Sequence, residues 1–480
     1  MPKAGFISLG CPKNLVDSEV MMGVLARNGY EFTPRAEEAE VLIVNTCSFI
    51  APAQKESIDT ILEMAEYKKF GAAKKLIVAG CLVEQYRQQI MEQIPEVDAV
   101  VGTGEIENIL AAVEGQLQFD AGGAASPPSY LYHDLTPRIL STPRHAAYIK
   151  IAEGCDHPCT FCIIPQLRGA FRSRRFESVV REAESLASAG VREVTLIGQD
   201  TTSYGEDLGL RGGLALLLER LAGVEGLQWV RFLYCYPNRV TQRILDTIAA
   251  HPRLAKYMDM PLQHASRNVL ARMKRGSSGE AFLQLLHRIR ATIPGVALRT
   301  SFIVGFPGET EADFRELCAF VEAAEFDWMG VFPYSDVDNA SSFALDKKVD
   351  EDTIKERQNR LMEIQQKISA RRLRRFRGAR ATALVEGPSK DTPLVWEARL
   401  ECMAPDIDGK LYLNDVQVPG TDLAARPGDL VTVEITETHE YDMVGRVVEI
   451  LDVPRPAAMH AAVTGPVQRV ATGAALRILA

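Results

Sequence analysis

The chain has 480 residues, 46% hydrophobic and 24% charged, with a formal net charge of −9. This is globular composition with length for two or three domains, and the charge excludes a protein that holds nucleic acid by overall basicity. Residues 1–9 lack an apolar core behind a basic start, and no run of about 18 apolar residues follows, so neither an export signal nor a membrane span is expected. The nine cysteines then read as ligands or core thiols in a reducing cytoplasm.

Residues 1–115 repeat one theme. Three apolar runs each end at a cysteine: Phe6-Ile7-Ser8-Leu9-Gly10 before Cys11, Val41-Leu42-Ile43-Val44-Asn45-Thr46 before Cys47, and Leu76-Ile77-Val78-Ala79-Gly80 before Cys81. Each run predicts a buried strand, with helical patterns between, and such alternation predicts a parallel sheet. Sites in these sheets form beyond the strands' carboxyl ends. Cys11, Cys47 and Cys81 are therefore expected to converge, either as buried structural thiols or as three ligands of a metal cluster.

Residues 116–145 read as a linker, with Ala121-Gly122-Gly123-Ala124-Ala125-Ser126-Pro127-Pro128 as its flexible part.

Residues 146–377 open on a strand and the loop Cys155-Asp156-His157-Pro158-Cys159-Thr160-Phe161-Cys162. Its C-x3-C-x2-C spacing is awkward for disulfides, because three is odd and the loops closed would be tiny. Thiolates this close suit zinc or an iron–sulfur cluster. Zinc wants a fourth ligand; His157 lies in the loop, but no second C-x2-C knuckle exists. Three cysteines on a cubane leave one iron open to bind a substrate. Six strands are expected, at 147–151, 194–197, 229–234, 256–260, 297–304 and 328–332, with helices such as 178–189 and 312–323 between them. The count fits a partial barrel or an open doubly wound sheet. A charged helix at 350–377 ends on Arg371, Arg372, Arg374, Arg375 and Arg377. These read as a solvated, dipole-compatible helix end or as a contact for ribosomal RNA.

From 378 to 452 the pattern becomes short alternating strands, at 381–385, 397–401, 409–413, 430–436 and 443–450, which predicts a small all-β barrel. Residues 378–451 hold six Lys or Arg against 14 Asp or Glu, a net −8, which repels phosphate and suits a basic protein. Residues 453–480 read as a disordered tail. Cys235, Cys318 and Cys402 have no partner spacing and read as core thiols.

The C-x3-C-x2-C loop, with Phe161 before its last cysteine, resembles the signature of radical S-adenosylmethionine enzymes. Ser8-Leu9-Gly10-Cys11-Pro12-Lys13-Asn14-Leu15-Val16-Asp17-Ser18-Glu19 and Asn45-Thr46-Cys47 resemble the amino-terminal domain of methylthiotransferases, in their ribosomal-protein branch. So does Ala404-Pro405-Asp406-Ile407-Asp408-Gly409 in the last domain, whose position resembles a TRAM domain. The resemblance implies a parallel α/β domain, a (β/α)6 partial barrel and a TRAM-like β-barrel. It implies two 4Fe-4S clusters, on Cys11/Cys47/Cys81 and on Cys155/Cys159/Cys162, with S-adenosylmethionine on the second.

Cofactor contacts are expected from Gln199 and Asp200, where this chain departs from the family's usual Gly-Gly-Glu, and from Gln263, Gly305 and Glu309 on later rim loops. His264 reads equally as a satisfied loop histidine or a proton carrier. The implied reaction puts a methylthio group on the β-carbon of an aspartate in small-subunit ribosomal protein S-twelve. It uses two S-adenosylmethionine molecules and a reductant such as flavodoxin or ferredoxin. The alternatives are a tRNA (adenosine) methylthiotransferase, a one-cluster radical methylase and a non-catalytic ribosome assembly factor.

Overall fold

The computed structural model describes residues 1–117, 128–392 and 394–451, and two short strands, Val467–Arg469 and Arg477–Leu479. Residues 118–127 of the expected linker, and most of the expected tail, lie outside the described residues.

The first part is a parallel sheet of β1 (Lys3–Leu9), β2 (Glu31–Phe32), β3 (Val41–Thr46), β4 (Lys75–Gly80) and β5 (Ala99–Val101), in the order β2-β1-β3-β4-β5. The three apolar runs became β1, β3 and β4 because both faces are covered: Phe6, Ile43 and Ile77 pack into one core, Ile7, Val44 and Val78 into another. Parallel sheets covered on both sides read as continuous apolar runs. Arg477–Leu479 also runs parallel to β1.

Short β6 (Arg138–Leu140) precedes the second part. There β7 (Ala146–Lys150) leads to the minor antiparallel pair β8 (Ala152–Glu153) and β9 (Arg172–Ser173). β10 (Glu193–Ile197), β11 (Trp229–Phe232), β12 (Tyr257–Asp259), β13 (Ala297–Val304) and β14 (Trp328–Pro333) follow. Parallel pairing gives β7-β10-β11 and β12-β13-β14. A parallel bridge between Val230 and Leu254 joins the two sets, so six strands curve into one open barrel, the one of the two arrangements fitting the count that the resemblance implies. Helix Phe176–Ser188 buries Val179, Val180, Ala183 and Leu186 against it. The helix Glu351–Leu373 closes the last strand: Gln358 donates to the Val331 carbonyl at 2.9 Å and Gln365 to that of Phe326 at 2.9 Å. That covers an edge that would otherwise recruit other chains.

The third part is a closed barrel of β15 (Arg380–Pro388), β16 (Trp396–Leu400), β17 (Leu411–Asp415), β18 (Leu430–Thr438) and β19 (Met443–Ile450). It sits under the amino ends of the second part's strands. Trp328 Nε1 donates to the Cys402 carbonyl (2.8 Å), Tyr257 Oη to Asp408 (2.7 Å) and Tyr148 Oη to Asp406 (3.3 Å). Arg399 bridges Glu193 and Glu386, 2.6 Å from each. Of the basic helix end, Arg371 pairs with Glu325, and Arg372 and Arg375 with Asp327 at 2.8 and 3.0 Å; these three cations are therefore already engaged within the chain.

Candidate functional site

Cys11, Cys47 and Cys81 come together at the carboxyl ends of β1, β3 and β4. Local chemistry explains the words around them. Gly10 has φ of +87°, and a Cβ there would stand 2.7 Å from Cys47 Cβ and 2.9 Å from its sulfur. Only glycine permits both the turn and the approach. Asn14 Nδ2 donates to the carbonyls of Leu9 (3.0 Å) and Thr46 (2.8 Å), tying the two cysteine turns together. Asn45 Nδ2 donates to the Asn14 carbonyl (2.8 Å) and to Ser18 Oγ (2.9 Å), and Ser18 donates to Ser8 (2.9 Å). The polar letters of the amino-terminal motif are thus a buried hydrogen-bonded frame.

Cys155, Cys159 and Cys162 lie on one tightly held loop after β8. The Cys155 N–H donates to the Gly169 carbonyl and that of Cys162 to the Cys159 carbonyl, each at 3.2 Å. Asp156 accepts from the Phe171 N–H (3.0 Å), and Thr160 Oγ1 donates to the Arg272 carbonyl (2.9 Å). His157 stacks on Tyr236, ring centres 3.6 Å apart, and bonds Asp200 at 2.7 Å. Arg275 lies over Tyr236 and reaches Cys159 Sγ at 3.7 Å. Phe161 packs toward Val269, Met273 and Phe306.

The two triads are neighbours. Cys81 packs in one cluster with Ile163 and Leu167, from the turn after Cys162. Arg168, at the end of that turn, donates to Cys81 Sγ at 3.5 Å, to Asn14, and to Asp17 at 2.7 Å. Lys150 bonds both Asp17 and Glu153. Burial opposes ionisation of Glu153, but the Lys150 and Arg168 cations hold its carboxyl down at about 2. A second buried set lies alongside: Arg138 pairs with Glu19 (2.6 Å) and Glu182 (2.7 Å), and Arg174 also pairs with Glu182. Asp17 and Glu19 of the amino-terminal motif are therefore the ions that dock the first part on the barrel rim.

The expected cofactor contacts divide. Gln199 donates to Glu153 at 2.6 Å, while its buried Oε1 has no partner, so it presents a free acceptor beside the cysteine loop. Asp200, expected at the cofactor, is instead committed to His157, Thr202 and Ser203; it holds the cysteine loop in place. Gln263 has φ of +73°, and its main chain bonds Ser301 and Ile303. Gly305 and Glu309 lie against the closing helix, and Glu309 also accepts from the Gly305 and Phe306 N–H groups. A Cβ on Gly305 would overlap Ile354 of the closing helix, and Glu309 pairs with Arg357 of that helix at 3.0 Å. Burial pushes the Glu309 carboxyl up to about 7 against that cation. Burial lowers His264 to about 3; its Nδ1 accepts from the Ser266 N–H at 3.0 Å, and its buried Nε2 has no hydrogen-bond partner. Cys235 and Cys318 lie in the barrel core, and Cys402 packs against the second core.

Sequence reasoning quoted Asp17 and Glu19 as motif letters without giving them a task, and passed over Arg138, Lys150, Arg168 and Arg174. A signal existed: Lys150 is a charge inside an apolar strand, and buried Lys or Arg must be paired.

The donor sets match iron–sulfur chemistry. All nine cysteines are free thiols. Burial pushes Cys47 and Cys155 up to about 11 and Cys81 and Cys162 to about 12. Such thiols ionise when a metal supplies the positive charge. Among the described residues no three donors close on a point suited to a single metal ion; a four-iron cluster spreads its thiolates wider.

Family models match three stretches: the uncharacterized protein family UPF0004 over residues 3–102, the radical SAM superfamily over 149–321, and the TRAM domain over 378–448. A solved radical S-adenosylmethionine methyltransferase, TsrM from Kitasatospora setae, shares the fold with TM-score 0.51 at 17% identity, covering 69% of this chain and 73% of that one. Ribosomal protein uS12 methylthiotransferase RimO of Solibacter usitatus is 63% identical over 451 residues, covering 92% of this chain and 94% of that protein. The protein of the same name from Koribacter versatilis is 56% identical, covering 92% and 96%. Framed triads, docked domains and these matches along nearly the whole chain lead to one statement: the chain belongs to the RimO family of ribosomal protein uS12 methylthiotransferases.

Proposed function

We propose that the chain is an enzyme that replaces a C–H on the β-carbon of an aspartate in ribosomal protein uS12 with a methylthio group. Cys155, Cys159 and Cys162 hold one 4Fe-4S cluster, and Cys11, Cys47 and Cys81 hold the other. When bound, the clusters and two molecules of S-adenosylmethionine, with electrons from a flavodoxin or ferredoxin, supply the radical and the methylated sulfur that acid–base side chains cannot. The protein's own work is placement. Asp200 and His157 fix the first cysteine loop. Gln199 offers a free carbonyl to the amino group of S-adenosylmethionine. Arg168, Asp17 and Lys150 hold the two triads in register across the domain junction.

The observation that carries this reading is the contact of Arg168, just beyond one triad, with Cys81 of the other. The third domain's net −8 supports a basic protein as partner over RNA. Mass spectrometry of uS12 after anaerobic reaction is the test. A gain of one methylthio group on one aspartate is expected, and none after Cys11→Ala/Cys47→Ala/Cys81→Ala, although that variant still cleaves S-adenosylmethionine. Modification of tRNA instead of uS12 would overturn the proposal.

A further inference from the structure

Lys13 is a buried cation that the docking network does not explain. It lies in the first turn of helix Pro12–Arg27, two residues after Cys11, and is 7% exposed. Its Nζ stands 3.3 Å from the centre of the Tyr234 ring. Tyr234 follows the carboxyl end of β11, on the barrel rim. The ammonium therefore spans the gap between the two domains, on the side of the Cys11 triad that faces the barrel.

The other buried cations of this junction, Arg138, Lys150, Arg168 and Arg174, each pair with a carboxylate. Lys13 has no carboxylate within ion-pair distance among the described residues. Burial opposes its charge, while the Tyr234 ring and hydroxyl and the neighbouring Cys11 sulfur favour it, so the cation is kept at the junction. Tyr234 is itself unusual. It has φ of +64°, a left-handed conformation rare for a bulky residue. Its N–H donates to the Asp259 carboxylate at 2.9 Å, and its carbonyl accepts from the Thr201 N–H at 3.2 Å. Backbone held against its preference beside a site points to a functional demand at that place.

We propose that Lys13 binds the side-chain carboxylate of the target aspartate. The inference rests on the functional reading above, which makes the substrate residue an aspartate. A carboxylate is a hard, localised anion that suits an ammonium, whereas a sulfur anion is soft and belongs on iron. Anchoring the carboxylate at Nζ leaves the β-carbon one bond from the anchor, between the rim and the Cys11 triad. The same contact selects aspartate over asparagine, because an ammonium binds a carboxylate more strongly than a neutral amide.

The test uses the full-length, anaerobically reconstituted enzyme. The probes are two synthetic peptides of the uS12 target loop, one with the aspartate and one with asparagine in its place. Binding of each is measured by isothermal titration. The wild type is expected to prefer the aspartate peptide by about 30-fold, the scale for a buried charge pair losing one partner. Lys13→Met is expected to reduce the preference to within about threefold, and Lys13→Arg to keep most of it. A Lys13→Met enzyme with undiminished preference overturns the assignment. The wild-type comparison needs no variant, and indifference there overturns it too. If the functional reading itself is wrong, the wild type neither binds nor modifies the aspartate peptide, and both fall. If only this inference is wrong, modification proceeds and the preference does not depend on Lys13.

Discussion

Arg168 and Cys81 meet at 3.5 Å, joining the turn that leaves one cysteine triad to a cysteine of the other. The guanidinium also serves Asp17, Glu153 and Asn14, so its loss would leave two buried carboxylates facing Lys150 alone. Arg168→Met is expected to lower the stability of the reconstituted protein by about 3–5 kcal/mol, the range for breaking a buried ion network. An N–H donated to a cluster thiolate also tunes its potential. In a Cys155→Ala/Cys159→Ala/Cys162→Ala background, the remaining iron site should therefore shift to a lower midpoint potential on Arg168→Met. Electron paramagnetic resonance during redox titration reads this, and an unmoved potential would limit Arg168 to docking.

Arg138 tests the docking surface away from the cysteines. It is fully buried between Glu19 of the first domain and Glu182 of helix Phe176–Ser188. Arg138→Met strands Glu19 and leaves Glu182 with Arg174 as its one cation, and a loss of about 3–5 kcal/mol is expected in urea unfolding. Adding Glu19→Gln to Arg138→Met should recover part of it, because a neutral amide costs less to bury than a lone carboxylate. If the double variant is no more stable than the single, the ion pair is not what holds the domains.

Glu309 gives a pH signature. Burial raises its carboxyl from an ordinary 4.5 to about 7 in the folded protein. Between those values the folded state binds more protons than the unfolded one, so this residue's contribution to stability is complete below pH 4.5 and falls as pH rises toward 7. Glu309→Gln should flatten the decline of melting temperature over that window. An unchanged slope would show that Glu309 titrates normally.

The acidic third domain makes a prediction about ionic strength. If uS12 docks against it, affinity should fall as salt rises, chiefly through slower association. Charge-reducing changes at exposed Asp415, Asp422 and Glu437, made together to Asn or Gln, should weaken binding several-fold and blunt the salt dependence. Stopped-flow association of labelled uS12 measures both. Salt-independent binding would exclude the third domain from recognition.

The fold was largely legible because its signals are periodic. β13 and β19 match their expected bounds, and the other strands of the barrel and the β domain differ from theirs by a few residues at either end. The cysteine triads were legible for a different reason: a repeated place on successive strands fixes a common edge. The cofactor contacts were the weakest reading. Asp200, Gly305 and Glu309 sit on rim loops as expected, but a loop position does not say which way a side chain turns. Asp200 went to His157, and Glu309 to Arg357 on a helix about 50 positions later in the chain. The docking ions escaped notice because partners such as Glu19 and Arg138 are 119 positions apart, beyond any local pattern.

The third domain covers the amino ends of the barrel strands through Trp328, Tyr257 and Asp408. A substrate segment that reaches the triads therefore cannot leave through that end of the barrel. A protein loop inserted at the triads must back out by the way it came. Turnover would then favour a substrate whose target residue stands on a protruding hairpin or bend, and would penalise any segment that had to be threaded.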